Sequence, residues 1–154
     1  DSVLKLSEML RYVIYDCSHD SVTLNHEVEY IKNFMAFQKM KSEHRQNITF
    51  DSDEIQVNKE ISPMLFVPFI ENAFKYSRIE EEKNAQVDIK LASTKHEVRF
   101  EIVNTLPETG KPQHGKGLGI KNVKQRLDVL YPDNYELNIV ESDKNYSVSL
   151  KIML

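Results

Sequence analysis

The segment PFIENAFKYS, residues 68–77, has helical apolar spacing but carries several polar side chains among apolar ones. A helix places Asn72, Lys75 and Tyr76 on one face, because they are three and four positions apart. Asn72 offers an oxygen ligand for a hard cation, Lys75 a charge for a phosphate, and Tyr76 an aromatic surface with a hydroxyl. The neighbouring Glu71 could accept a proton. An ordinary helix edge with a Glu71–Lys75 surface ion pair remains an equally simple interpretation.

A second signal, GKGLGIKN at residues 115–122, places Gly115, Gly117 and Gly119 around the start of a predicted helix. Glycines let backbone N–H groups approach an anion, and a helix N-terminus favours one. A dinucleotide fingerprint would need glycine where Ile120 stands, and a P-loop would need Ser or Thr after Gly-Lys. A plain loop-to-helix turn stays open.

The rest of the chain alternates between helical and strand periodicity. Apolar spacing predicts helices over 2–17, 25–43 and 118–130, and a helix that Ser62 caps with Pro63 at its first position and that Pro68 should bend or divide. Alternation predicts strands that begin near 47, 86, 97, 135 and 145, with a long loop over 105–117. This order predicts a two-layer α/β sandwich, with a mixed, mostly antiparallel sheet packed on helices and preceded by N-terminal helices.

The first predicted helix has a three-four apolar spacing, which is that of a coiled-coil seam or of an ordinary amphipathic helix. Its members are Val3, Leu6, Leu10, Val13 and Cys17. In the second helix, Glu27 and Glu29 lie in the first turn, where the helix dipole favours acids.

Bulk composition excludes several classes of protein. The 154 residues carry a net charge of −4, which does not favour a nucleic-acid partner. No apolar run is long enough to span a bilayer, and one cysteine excludes an internal disulfide. These features are typical of one folded globular unit.

The two polar signals, in this order around a strand pair and a long loop, resemble the ATP-binding catalytic domain of sensor histidine kinases, which has the Bergerat fold of the GHKL superfamily. PMLFVPFIENAFKYS resembles the N box, and GKGLGIKNVKQRLDVLYP resembles the second glycine box. LSEMLRYVIYD and LNHEVEYIKNFMAFQKMK resemble the LytS/YehU-type subfamily. The resemblance implies that residues 1–44 are the end of the dimerisation and phosphoacceptor region with a connecting helix, and that 45–154 are the catalytic domain.

The resemblance also implies roles within the N box. Asn72 would hold Mg²⁺ between the nucleotide phosphates, Lys75 would contact phosphate, and Tyr76 would lie near the adenine or ribose. Glu71 would be catalytic and assist proton removal from the acceptor histidine. Pro68 replaces the Glu that activates water in the gyrase-like ATPases, which favours phosphotransfer over hydrolysis.

The other implied ligands of ATP lie in and beyond the long loop. Gly115, Gly117, Leu118 and Gly119 would bind the nucleotide from the lid side. The usual first glycine box is missing, and Asn104 stands where the adenine-reading Asp would be. An amide oxygen can accept the adenine hydrogen bond less strongly than a carboxylate.

The family's partners are expected too: ATP, a second copy in the full-length protein and a cognate response regulator. The implied location is the cytoplasmic domain of a bacterial inner-membrane protein, with its membrane segments outside this chain. No histidine stands in a Pro-His-Phe-Leu-x-Asn acceptor signature, so the acceptor is expected upstream. An ATP-binding interaction module and a degenerate, non-catalytic dimerisation domain are the alternatives; Asn104 and the missing glycine box favour the latter.

Overall fold

The computed structural model describes residues 2–41, 46–56, 58–108 and 118–154. Four helices and seven strands are present in these ranges, with a 3₁₀ turn at Asp16–Ser18 after the first helix. The helices are α1 (Ser2–Tyr15), α2 (Leu24–Lys39), α3 (Val67–Ser77) and α4 (Leu118–Leu130). The strands are β1 (Val22–Thr23), β2 (Asn47–Asp51), β3 (Glu60–Ile61), β4 (Gln86–Ser93), β5 (Glu97–Thr105), β6 (Tyr135–Glu141) and β7 (Asn145–Met153).

Five strands form one twisted sheet in the order β2-β4-β5-β7-β6. The β2–β4 pair is parallel and the other three pairs are antiparallel. Because strand side chains alternate between faces, Ile89, Ile102 and Val148 form one row across the sheet on its buried face. The predicted mixed, mostly antiparallel sheet is confirmed.

Helices α3 and α4 cover the buried face of the sheet. The rings of Phe66 and Phe69, at the start of α3, lie 4.9 Å and 6.0 Å from the ring of Phe100 on β5. Leu127 on α4 is fully buried. The two-layer α/β sandwich predicted from the alternating and helical patterns is therefore confirmed.

An aromatic row connects the N-terminal helices to this layer. Ring centroids are 4.9 Å apart from Tyr12 on α1 to Tyr30 on α2, 6.4 Å from Tyr30 to Phe34, and 5.8 Å from Phe34 to Phe74 on α3. A short antiparallel ribbon of β1 and β3, which sequence reasoning missed, adds a second connection at Val22. The buried residues of the N-terminal helices therefore belong to the same core as the sheet.

The start of α3 differs from the prediction. Ser62 and Pro63 do not begin the helix, which starts at Val67, so Pro68 lies in its first turn rather than inside it. Met64 has a positive φ of 59°, which stops a helix from running through it. At the first turn the missing N–H of Pro68 has no helical partner to lose, and α3 continues undivided to Ser77.

The seam predicted on α1 is largely exposed. The exposed fractions of Val3, Leu6, Leu10 and Val13 lie between 42% and 80%. The helix ends at Tyr15, and Cys17 follows in the 3₁₀ turn, where it packs partly buried against the core. No helix within the described ranges is long and apolar enough to cross a membrane.

Candidate functional site

The central polar residue of α3 is Asn72, which is half-buried on the helix. Its side-chain nitrogen is buried and has no hydrogen-bond partner among the described residues. A buried amide left without a partner costs about 1–3 kcal/mol, and native proteins rarely keep one without a reason. The amide of Asn72 is therefore the strongest single sign of a ligand site in this helix.

One turn further along α3, Tyr76 lies over the end of the sheet. Its side chain is buried, and its ring lies 6.4 Å from that of Tyr146 on β7. Burial, and then the nearby phenol of Tyr76, raise the pKa of Tyr146. Tyr146 was not predicted as a site residue, although the alternation of β7 gave the signal by placing it on the buried face with Val148.

Asn104 is the register partner of Tyr146 and lies at the end of β5 on the same buried face. Its exposed fraction is 1%, and its side-chain nitrogen donates a 2.9 Å hydrogen bond to the carbonyl of Thr105. This bond assigns the nitrogen to the backbone and leaves the side-chain oxygen as the acceptor. The structure thus brings Asn104 and Tyr76 together through Tyr146.

The beginning of α4 meets the beginning of α3. A Cβ added to Gly119 would lie 3.9 Å from the Cβ of Pro68, which is ordinary contact. Pro68 is one turn before Asn72, so the N-terminus of α4 lies beside the helix face that carries Asn72. Leu118, the first residue of α4, is 76% exposed. The predicted Gly115 and Gly117 lie outside the described residues.

Glu71 and Lys75 are exposed on the side of α3 that borders α2. Both line an open groove of about 570 Å³ between α2 and α3, together with Phe34 and Phe74. The ammonium of Lys75 also lies 5.8 Å from the ring centre of Tyr76, so it can reach the Asn72 face as well. No Glu71–Lys75 ion pair occurs among the ion pairs of the described residues, in contrast to the surface-pair interpretation.

The donor set suits a nucleotide with its metal better than a metal alone. The described residues contain no cluster of three or more His, Cys, Asp or Glu side chains that could hold a metal ion. A hard cation that is shared between one amide oxygen and phosphates needs no such cluster, since phosphate and water oxygens supply the remaining ligands. In that arrangement the unpartnered side-chain nitrogen of Asn72 would donate to a phosphate oxygen, and the charge of Lys75 and the N-terminus of α4 would offset the charge of the phosphates.

Comparisons with known proteins find this sandwich in histidine kinases. The catalytic domain of histidine kinase ThkA has a TM-score of 0.58 at 14% identity, over 86% of this chain and 94% of that chain. Histidine kinase ThkA, solved in complex with response regulator protein TrrA, has a TM-score of 0.58 at 12% identity, and the match covers 98% of this chain and 48% of that chain. Full-length ShkA in complex with AMPPNP has a TM-score of 0.62 at 12% identity, over 98% of this chain and 35% of that chain. At such identities the likeness shows the fold alone.

Two sequence matches point the same way. A protein-family model described as histidine kinase matches residues 1–46. The sensor protein kinase HptS of Staphylococcus aureus is 34% identical over 90 residues, which are 58% of this chain and 17% of HptS. The chain therefore covers less than a fifth of that relative's length.

Proposed function

We propose that this chain is the catalytic part of a two-component sensor histidine kinase of the LytS/YehU type. It binds Mg-ATP and transfers the γ-phosphoryl group to a histidine upstream of these residues. The observation that carries the proposal is the buried, unpartnered side-chain nitrogen of Asn72, beside the N-terminus of α4 and one turn from Tyr76. The histidine kinase fold and the family match over residues 1–46 support it.

The proposal assigns one task to each residue of the candidate site. The oxygen of Asn72 holds Mg²⁺, which neutralises charge on the phosphates when it is bound. Lys75 contacts phosphate, and Tyr76 lies against the adenine or ribose. The side-chain oxygen of Asn104 accepts a hydrogen bond from the adenine amino group. Gly115, Gly117, Leu118 and Gly119 bind the nucleotide from the lid side.

Phosphoryl transfer of this kind depends mainly on positioning and charge stabilisation. Glu71 is proposed to accept the proton that the acceptor histidine releases, through a carboxylate oxygen. Its exposure on the groove between α2 and α3 leaves it open to an approaching side chain. Pro68 has no group that could activate water, which is consistent with transfer to a side chain rather than hydrolysis.

The proposal extends to domains and partners. Residues 1–44 are the end of the dimerisation region with its connecting helix, and 45–154 are the catalytic domain. The exposed seam of α1 pairs with a second copy in the full-length protein, and a response regulator receives the phosphoryl group, a partner that the ThkA–TrrA complex supports. The parent is proposed to be a bacterial inner-membrane protein with this part in the cytoplasm.

Titration calorimetry with Mg²⁺ and a non-hydrolysable ATP analogue tests the proposal. We expect binding by the wild type and at least a tenfold loss in Asn72→Ala, because a metal ligand is removed at a cost of about 1.4 kcal/mol or more. Asn138→Ala, at an exposed amide on β6, is the matched control and should bind like the wild type. Absence of binding at millimolar analogue, with Asn72→Ala indistinguishable from wild type, would instead favour a degenerate dimerisation domain.

A further inference from the structure

Glu27, in the first turn of α2, is an unusual residue for its position. Its side chain is fully buried, and among the buried polar residues of the described ranges no other is an acid or a base. The helix dipole accounts for an acid at this position but not for its removal from water. Burying a carboxylate is costly unless partners hold it, so its contacts indicate what it does.

One carboxylate oxygen of Glu27 connects two separate elements. Oε1 accepts a hydrogen bond from the hydroxyl of Tyr12 on α1. It also accepts a 2.8 Å hydrogen bond from the backbone N–H of Met64. The other oxygen, Oε2, is buried without a partner among the described residues. Burial raises the pKa of Glu27, while its two hydrogen bonds and Arg126 oppose the rise.

The segment that Glu27 holds is a strained turn immediately before α3. Met64 has a φ of 59°, which is unfavourable for a side chain of its size and persists only where the surroundings fix it. Arg126 on α4 fixes the other side of the turn, because its guanidinium donates to the carbonyls of Pro63, at 2.7 Å, and Met64, at 3.3 Å. Ser62 adds a third contact, as its hydroxyl accepts from Arg126 at 3.1 Å.

The turn at Met64 determines where α3, the helix that carries Asn72, begins. Leu65 and Phe66 follow Met64 with no exposed surface, and α3 starts at the next residue. Because only two residues, both fully buried, lie between Met64 and α3, the position of Met64 constrains where the first turn of α3 lies. The same turn is bound to α4, whose N-terminus lies beside Pro68.

We propose that Glu27 is a positioning residue that couples α1 to the nucleotide helix α3, with the hydroxyl of Tyr12 on one side and the N–H of Met64 on the other. A shift of α1 that breaks the Tyr12 contact releases Oε1 and loosens the turn that sets the start of α3. The inference rests on the proposed function in so far as α3 is taken to hold the nucleotide; the coupling of α1 to α3 does not depend on it.

Hydrogen exchange without nucleotide tests the coupling directly. Tyr12→Phe removes the hydroxyl and keeps the ring, so it should fold, and Tyr15→Phe is the matched control because Tyr15 is 66% exposed. We expect the amides of residues 64–67, 69 and 70 to exchange about tenfold faster in Tyr12→Phe, the effect of losing one buried hydrogen bond. An unchanged rate at 64–70, or an equal rise throughout β5 and β7, would overturn the coupling, since the second outcome is a loss of global stability.

A second measurement adds Mg²⁺ and the non-hydrolysable ATP analogue to the same variants. By linkage, a nucleotide that orders α3 should also slow exchange in α1 of the wild type, and this response should disappear in Tyr12→Phe but not in Tyr15→Phe. Nucleotide binding without any change in α1 of the wild type would contradict the coupling and leave the proposed function intact. No binding at all would contradict the proposed function, while the nucleotide-free measurement would still decide the coupling.

Discussion

Helices α1 and α3 are both short and amphipathic, but the chain buries the apolar face fully in only one of them. The core-facing residues of α3, namely Val67, Phe69, Ile70, Ala73 and Phe74, are at most 7% exposed. The four seam residues on α1, from Val3 to Val13, are between 42% and 80% exposed. The apolar face of α3 is buried within the chain, and the atom that lacks a partner is the side-chain nitrogen of Asn72. On α1, Met9 and Tyr12 are buried in the core, but the apolar residues of the seam are not covered. Helix α3 therefore has an unpaired polar atom that a ligand could bind, whereas α1 has an apolar surface that another protein surface could cover.

The largest expected effect separates the two helices by stability. Phe69→Ala should destabilise the protein by about 3–5 kcal/mol, because it opens a cavity against Phe100 in the core. Leu4→Ala, at a residue of α1 that is 60% exposed, should stay within about 0.5 kcal/mol of wild type. Urea unfolding measures both. Similar losses in the two variants would mean that α1 is part of the folding core to the same extent as α3.

The next effect concerns what covers the seam of α1. If the seam pairs with a second copy, Leu6→Lys with Leu10→Lys should weaken self-association by at least about tenfold, because charges would be placed on the paired apolar surface. Sedimentation over a concentration series measures this. The free energy of unfolding of the monomer should be unaffected. Leu4→Lys, exposed but off the seam, is the control. Equal association of the double variant and the control would exclude the seam as the contact.

A smaller effect tests whether α3 and α4 meet around a ligand. Gly119→Ala has room in the folded protein, since its new Cβ would only touch Pro68, and stability should change by no more than about 1 kcal/mol. Nucleotide affinity should nevertheless fall severalfold if the backbone of Gly119 lies close to phosphate. Calorimetry and thermal unfolding distinguish the two quantities. Unchanged affinity would remove Gly119 from the proposed site.

The smallest effect is the pH dependence of the link between α1 and α3. Because burial raises the folded-state pKa of Glu27, the folded protein keeps this proton at a pH where the unfolded chain has released it. The associated stability is full below the ordinary glutamate pKa and is lost as pH rises through the raised value. Relative to Glu27→Gln, the wild type should therefore lose free energy of unfolding with rising pH.

Unfolding of both proteins at a series of pH values measures that difference. Tyr12 and Arg126 face the same carboxylate, so their own variants must be compared over the same range. Glu29→Gln, at the exposed acid of the same helical turn, should retain the wild-type profile. A difference between wild type and Glu27→Gln that stays constant or increases with pH would contradict the raised pKa.

Local patterns predicted most of the framework. Strict alternation in β4, β5 and β7 defined the sheet, and the third predicted helix matches α4 from Leu118 to Leu130. These signals are local, because one face of each element must be apolar wherever the core lies. The predicted start of α3 was wrong. Ser62 and Pro63 look like a helix start, but the turn at Met64 depends on side chains that are distant in the sequence.

For the candidate site, too, the sequence predicted one part and not another. The sequence by itself determined that Asn72, Lys75 and Tyr76 lie close together on one helix, since their spacing fixes this. Only the tertiary structure decided that Tyr146 joins Tyr76 at the end of the sheet, that the side-chain nitrogen of Asn72 is buried without a partner, and that Glu27 is enclosed between α1 and the turn before α3. The physical reason is that burial and partnership depend on groups far apart in the chain, and no local spacing encodes them.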